Sequence, residues 1–126
     1  MVLEELRYTQ DHEWVYVQDM VATVGVTKYA TDELGEIVFV ELPELEAEFS
    51  QMDEFGTVES VKTVSSLFMP LSGKILEKNK WVEERPALLN DSPFQEGWLV
   101  KINIADSKEV DDLMNFEEYQ AYLDTL

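Results

Sequence analysis

Lys62 is the one cation between Tyr29 and Gly73, a span in which every other charged side chain is a carboxylate. It lies within Phe55-Gly56-Thr57-Val58-Glu59-Ser60-Val61-Lys62-Thr63-Val64-Ser65-Ser66-Leu67-Phe68-Met69-Pro70, where two apolar, β-branched runs flank a short polar break. Two roles are open to such a residue. It is a solvated surface charge, the commoner fate of a lysine, or it is an amine kept for acylation. Slim neighbours at Ser60, Thr63, Ser65 and Ser66 leave room for an enzyme to reach it. A cation among carboxylates is a poor spontaneous nucleophile, so acylation there requires an enzyme that strips the proton.

The flanking residues discriminate among attachable groups. A biotin-bearing lysine usually stands between two methionines; here the flanks are Val61 and Thr63. A phosphopantetheine carrier needs a serine in an Asp-Ser-Leu setting at a helix start, and the Asp-Ser pairs are Asp91-Ser92-Pro93 and Asp106-Ser107-Lys108. With no cysteine in the chain, a polypeptide dithiol, a thiolate metal site and a cysteine nucleophile are all excluded, and thiol chemistry has to be imported on an attached group. His12, the single histidine, sits between Asp11 and Glu13. A lone histidine without cysteine is read as a hydrogen-bonded structural residue at a strand start rather than as a ligand. Asp91, Glu96 and Asp106 lack the alternate-position spacing around a glycine of a calcium loop. Trp14, Trp81 and Trp98 are assigned to the core.

These residues need a scaffold, and 126 residues at 45% hydrophobic content suffice for one domain spanning 1–126. A formal charge of −18 repels nucleic acid and anionic membrane surfaces and suits basic protein partners. No apolar run reaches membrane-spanning length, and Met1 to Arg7 has neither a secretion nor a transit pattern, so a cytoplasmic monomer is expected.

The pattern of residues predicts mainly β structure. Strands are expected at Trp14–Val17 and Val21–Val26, joined as a hairpin, then a short helix capped by Thr27 and stopped by Gly35. Glu36–Leu42 reads as a strand buried on both faces, or between a sheet and that helix, because its apolar run is nearly continuous. Shorter strands follow at Glu48–Ser50, Thr57–Val61, Ser65–Met69, Leu71–Glu77 and Trp98–Ile104. Val58 and Ser60 fall on one face and Thr57, Glu59 and Val61 on the other, which leaves Lys62-Thr63 at a hairpin tip. Trp81–Asn90 reads as irregular surface wrapping. Asp106 or Ser107 caps a helical turn, and Asn115 with Glu118 opens a final helix to about Leu123, so the C-terminus is helical over about 107–124.

The chain resembles the H proteins of the glycine cleavage system. Gly56-Thr57-Val58-Glu59-Ser60-Val61-Lys62-Thr63 matches that family's lipoylation motif, with Pro70-Leu71-Ser72-Gly73 at the expected spacing. Upstream, His12-Glu13-Trp14, Gly25-Val26-Thr27, Ala30 and Leu34 to Pro43 match. Downstream come Asn79, Pro86, Leu89-Asn90, Ser92-Pro93-Phe94, Gly97-Trp98-Leu99 and Tyr119. The match runs nearly end to end, unlike the shorter lipoyl domains of 2-oxoacid dehydrogenases.

The resemblance implies a barrel-sandwich hybrid of two antiparallel sheets and a carrier without catalysis of its own. It implies lipoate in amide linkage on Lys62, with Glu59, Ser60, Val61 and Thr63 as the motif read by a lipoate-attaching enzyme. The arm would take an aminomethyl group from glycine decarboxylase (P protein) and present it to aminomethyltransferase (T protein). Lipoamide dehydrogenase (L protein) would reoxidise the dithiol. Glu13 stands at the family position lining the cleft where the loaded arm docks, and a carboxylate there suits a cationic cargo. Asp11, Thr31 and Ser66 depart from residues common in the family, as does Glu46-Ala47. A lipoyl relay to 2-oxoacid dehydrogenase subunits and an unmodified acidic interaction module are the alternative roles. The acidic skirt, Glu44 to Glu48 with Asp53 and Glu54, is either a solvated face or a docking surface for basic enzymes.

Overall fold

The computed structural model describes residues 2–126. A 3-10 turn at Leu3–Glu5 leads into β1 (Arg7–Tyr8), β2 (Glu13–Gln18) and β3 (Val21–Val26). Helix α1 (Lys28–Leu34) follows, then β4 (Ile37–Glu41), β5 (Glu48–Phe49), β6 (Glu54–Ser60), β7 (Val64–Phe68) and β8 (Gly73–Lys78). After α2 (Lys80–Glu84) and α3 (Leu88–Asp91) come β9 (Val100–Ile104), a 3-10 segment at Ser107–Asp112 and α4 (Phe116–Leu123).

The strands form two antiparallel sheets, one in the order β1-β2-β3-β9-β8-β5 and one in the order β4-β6-β7. They share one core. Val15, Val24, Ile75, Val100 and Ile102 of the large sheet pack with Ile37, Val40, Val58 and Leu67 of the small one. Alternation along each strand puts these side chains on the inner faces. A second cluster of Leu6, Tyr8, Trp14 and Tyr119 lies on the other side of β2, where α4 meets the N-terminal segment. Trp14 is fixed there by its indole N–H, which donates to the Pro93 carbonyl at 2.9 Å. Its cross-strand partner has to be Gly25, because a Cβ there would lie 2.5 Å from the indole ring.

Three expectations from sequence are overturned. The strand at Ile37–Glu41 is not covered on both faces: Val38 and Phe39 are exposed, at 45% and 51%. β4 is an edge strand, and a register shift between Ile37 and Phe39 turns two successive side chains outward. The segment Trp81–Asn90 is not irregular wrapping but contains α2 and α3, which bury Val82, Leu88 and Leu89. Asn79 accepts from the Trp81 amide at 3.1 Å and caps α2. Finally, Trp14 alone of the three tryptophans is fully buried; Trp81 is 67% exposed, and Trp98 is half-buried under the Lys101 ammonium. β1, too short to show a period, was not anticipated. No helix among the described residues is long and apolar enough to cross a membrane.

Candidate functional site

The β6–β7 hairpin carries Lys62 at its tip, and its turn is built by Ser60. The Ser60 hydroxyl oxygen accepts from the amides of Lys62 and Thr63, each at 3.1 Å. The Ser60 amide donates to the Thr63 carbonyl at 2.8 Å. A short hydroxyl side chain thus closes the turn in place of backbone partners. Ser60 is buried while Val61, Lys62, Thr63 and Val64 are exposed, so the tip stands out of the sandwich on a fixed base. Ser60→Ala removes the acceptor of two amides. We expect a loss of about 1–2 kcal/mol in urea unfolding, with amide exchange at Lys62 and Thr63 accelerating; unchanged exchange would contradict this role.

The Lys62 ammonium reaches back to α1, where it donates to the Glu33 carbonyl at 3.0 Å. That carbonyl belongs to the last turn of α1, which has no helical partner for its C=O groups and carries partial negative charge. Gly35 ends the helix with φ +84°, and its missing side chain leaves space that the Lys62 methylenes occupy: a Cβ would stand 3.2 Å from Lys62 Cε. Lys62 belongs to none of the three ion pairs among the described residues.

Two anchors hold α1 where it meets this lysine. At its start the Thr27 hydroxyl accepts from the Ala30 amide at 3.3 Å and bonds the Tyr119 hydroxyl at 2.9 Å, which also meets His12 Nδ1 at 2.8 Å. Burial holds Tyr119 protonated, raising its pKa to about 12, and pushes His12 below its ordinary value against the opposing pull of Asp11 and Glu33. His12 is therefore a structural partner of the second cluster, and no metal-competent group of side chains occurs among the described residues. At the far end of α1 the Asn90 amide group donates to the Gly35 carbonyl at 2.8 Å, and its oxygen accepts from the Ile37 amide at 3.0 Å. Asn90 thereby fixes the junction of α1 and β4 beside the lysine. Its sequence neighbourhood gave no sign of that role beyond its place in a matched motif.

Glu13 is 2% exposed. It shares the inner face of β2 with Val15 and bridges the two sheets at their rim. Its carboxylate accepts from the Thr9 hydroxyl at 2.6 Å and from the Phe68 amide of β7 at 3.3 Å. Burial pushes its pKa up to about 7, only partly opposed by those two hydrogen bonds, and Asp11 adds to the rise. Thr9 and Asp11 also line an open depression with Met52 and Met114. The structure does not place Glu13 against the lysine. Its bond to Phe68 falls at the end of β7 remote from the tip, about 13 Å along the strand from Val64. Asp11 is exposed, Ser66 half-buried, and Thr31 buried with its hydroxyl turned to the Lys28 carbonyl at 3.0 Å.

Comparison with known proteins gives a consistent result. A family model described as glycine cleavage H-protein matches residues 6–126. The chain is 53% identical over 123 residues to the glycine cleavage system H protein of Halothermothrix orenii, covering 98% of this chain and 96% of that one. It is 49% identical over 118 residues to that of Staphylococcus saprophyticus, covering 94% of each. The crystal structure of a glycine cleavage system H protein from Mycobacterium marinum superposes with a TM-score of 0.90 at 35% identity, over 99% of this chain and all of that one.

Proposed function

The chain belongs to the glycine cleavage H-protein family, and from that membership we propose that Lys62 is the residue through which it carries lipoate. The protein is a lipoylated shuttle of the glycine cleavage system and not itself a catalyst. When bound, the lipoyl group would supply a disulfide that is opened reductively as it takes up an aminomethyl group, is left as a dithiol when that group is released, and is closed again by reoxidation. We propose glycine decarboxylase, aminomethyltransferase and lipoamide dehydrogenase as the three partners, a lipoate-attaching enzyme as the fourth, and residues 1–126 as one carrier domain.

The observation that carries the attachment is the placement of Lys62. Its amine stands at an exposed tip, where it donates to a backbone carbonyl and belongs to no ion pair among the described residues, on a turn closed by Ser60. The site fits an acyl group. Amide formation there requires Nζ to give up one proton before it attacks an activated acyl donor and a second as the donor's leaving group departs, and no carboxylate among the described residues is paired with it. The residues of the chain then position the arm: the rigid hairpin sets its root, and the absence of cysteine leaves no competing thiol.

Glu13 is the proposed receiver of a cationic cargo. Burial pushes its pKa up to about 7, and a cation beside it would draw it to the carboxylate. Because that carboxylate is enclosed, docking there requires Thr9 to move aside. No observation favours the relay role or an unmodified interaction module. The test is peptide mapping by mass spectrometry on protein from lipoate-replete cells. One lipoyl adduct on the peptide holding Lys62 is expected; an adduct on another lysine, or none, removes the assignment.

A further inference from the structure

The outer face of the small sheet is apolar where it adjoins Lys62. Cross-strand register puts Phe39 of β4, Glu59 of β6 and Val64 of β7 in one row, with Glu41, Thr57 and Ser66 in the next. Facing side chains in register lie on the same side of a sheet, so Phe39 and Val64 flank Glu59 across two strand spacings, about 10 Å. Phe39 is 51% exposed and Val64 61%, and Val61 at the tip reaches 65%. An edge strand that displays Phe beside an apolar hairpin is a liability in a solitary protein. Nothing in the core requires it, since the inner face of this sheet is filled by Ile37, Val40, Val58 and Leu67. Glu59 within the row, and Glu36 and Glu41 beside it, are all exposed and none is in an ion pair among the described residues.

We infer that this row is the docking face for the enzyme that attaches lipoate, with Phe39 as an anchor on a strand outside the hairpin motif. The inference rests on Lys62 being the attachment site. The enzymes of the cleavage cycle react with the far end of the arm and can leave its root uncovered. The attaching enzyme alone has to bring its reacting centre to Nζ, and in doing so it must cover Val61, Val64 and the sheet face continuous with them. The complementary surface is an apolar recess that takes Phe39, rimmed by Arg or Lys side chains that meet Glu36, Glu41 and Glu59. Glu59 then acts as an acidic contact held between two apolar ones. Specificity for this carrier is in that case read across three strands.

The test compares unlipoylated wild type with Phe39→Asp and Val64→Ser, each incubated with a lipoate-attaching ligase, free lipoate and ATP, with adduct formation followed by intact mass. Trp81→Ser, exposed on α2, serves as the control. All three side chains are exposed, and circular dichroism melts confirm that each variant is folded. Phe39→Asp is expected to lower the kcat/KM of attachment about thirtyfold and Val64→Ser about fivefold, with Trp81→Ser unchanged. Raising salt weakens attachment to the wild type, as charge pairing predicts. Equal rates for folded Phe39→Asp and wild type overturn the inference and leave the assignment of Lys62 intact; no adduct on any of the proteins removes the assignment itself. A further measurement uses variants driven to full lipoylation by long incubation. Their reduction by lipoamide dehydrogenase should match wild type, and a loss confined to that step gives the face to a different enzyme and also overturns the inference.

Discussion

Lys62→Arg yields a protein that folds as the wild type does and never acquires a lipoyl adduct. Arginine keeps the positive charge and the length to reach the Glu33 carbonyl, so the contact with the end of α1 survives. Its guanidinium stays protonated under all conditions a protein tolerates and offers no free amine for acylation. The residue is exposed, so stability should change by less than about 0.5 kcal/mol. Carriage of the one-carbon unit, measured in the reconstituted glycine cleavage system, should fall to background. Intact mass and activity are read on the same preparation. An adduct on Lys62→Arg, or carrier activity at the wild-type level, would show that the arm is rooted elsewhere.

The second large effect concerns Glu13 and its pH dependence. Its folded pKa of about 7 stands above the unfolded value of 4.5, and burial is the main cause. The folded state therefore binds this proton more tightly than the unfolded state does. The resulting stabilisation is fully present below pH 4.5 and is lost as the pH rises through 7. A difference of that size corresponds to about 3 kcal/mol of stability between pH 4 and pH 8. Glu13→Gln mimics the neutral acid, keeps a carbonyl oxygen for the Phe68 amide, and should remove this component. Urea unfolding of both proteins from pH 4 to pH 8 tests it. Repulsion among the many other carboxylates also relaxes in acid, yet it does so in both proteins and cancels in the difference. Parallel pH profiles would mean that Glu13 does not titrate differently in the folded state. Glu13→Ala should be worse at every pH, since it opens a hole at the rim and leaves the Phe68 amide without a partner.

Local signals were legible where one residue decides one contact. Thr27 caps α1, Gly35 stops it with a positive φ, and Asn115 and Glu118 close a capping box, as their identities imply. The tip position of Lys62 followed from alternation in β6 and from the break before β7. What sequence could not show depended on which strands are edges. The apolar run of β4 suggests burial, but an edge position and a shifted register turn Val38 and Phe39 outward. Helices α2 and α3 are little more than one turn each, too short for a 3.6-residue period to declare itself. The role of Asn90 is a contact across 53 and 55 residues, and the enclosure of Glu13 depends on an amide 55 residues away. No local pattern encodes such pairings. The chemical identity of the cargo was legible only through chain-wide resemblance, since an exposed lysine on a hairpin looks the same whether or not it is acylated.

The second cluster has a consequence for how the chain is made. Tyr8 stacks on Tyr119 with ring centroids 4.5 Å apart, its backbone pairs with Met114, and His12 bonds Tyr119 across 107 residues. While the polypeptide is still emerging from the ribosome, β1 and the Tyr8 ring lack their Met114 and Tyr119 partners until residues near 114–119 have been added. The hairpin that carries Lys62, by contrast, is complete in sequence once Phe68 has been made. Synthesis therefore presents Lys62 long before the face that closes around Tyr119 exists. The anchor that Tyr119 gives to α1 through Thr27, and hence to the seat of the Lys62 amine, is among the last parts of the molecule to be set.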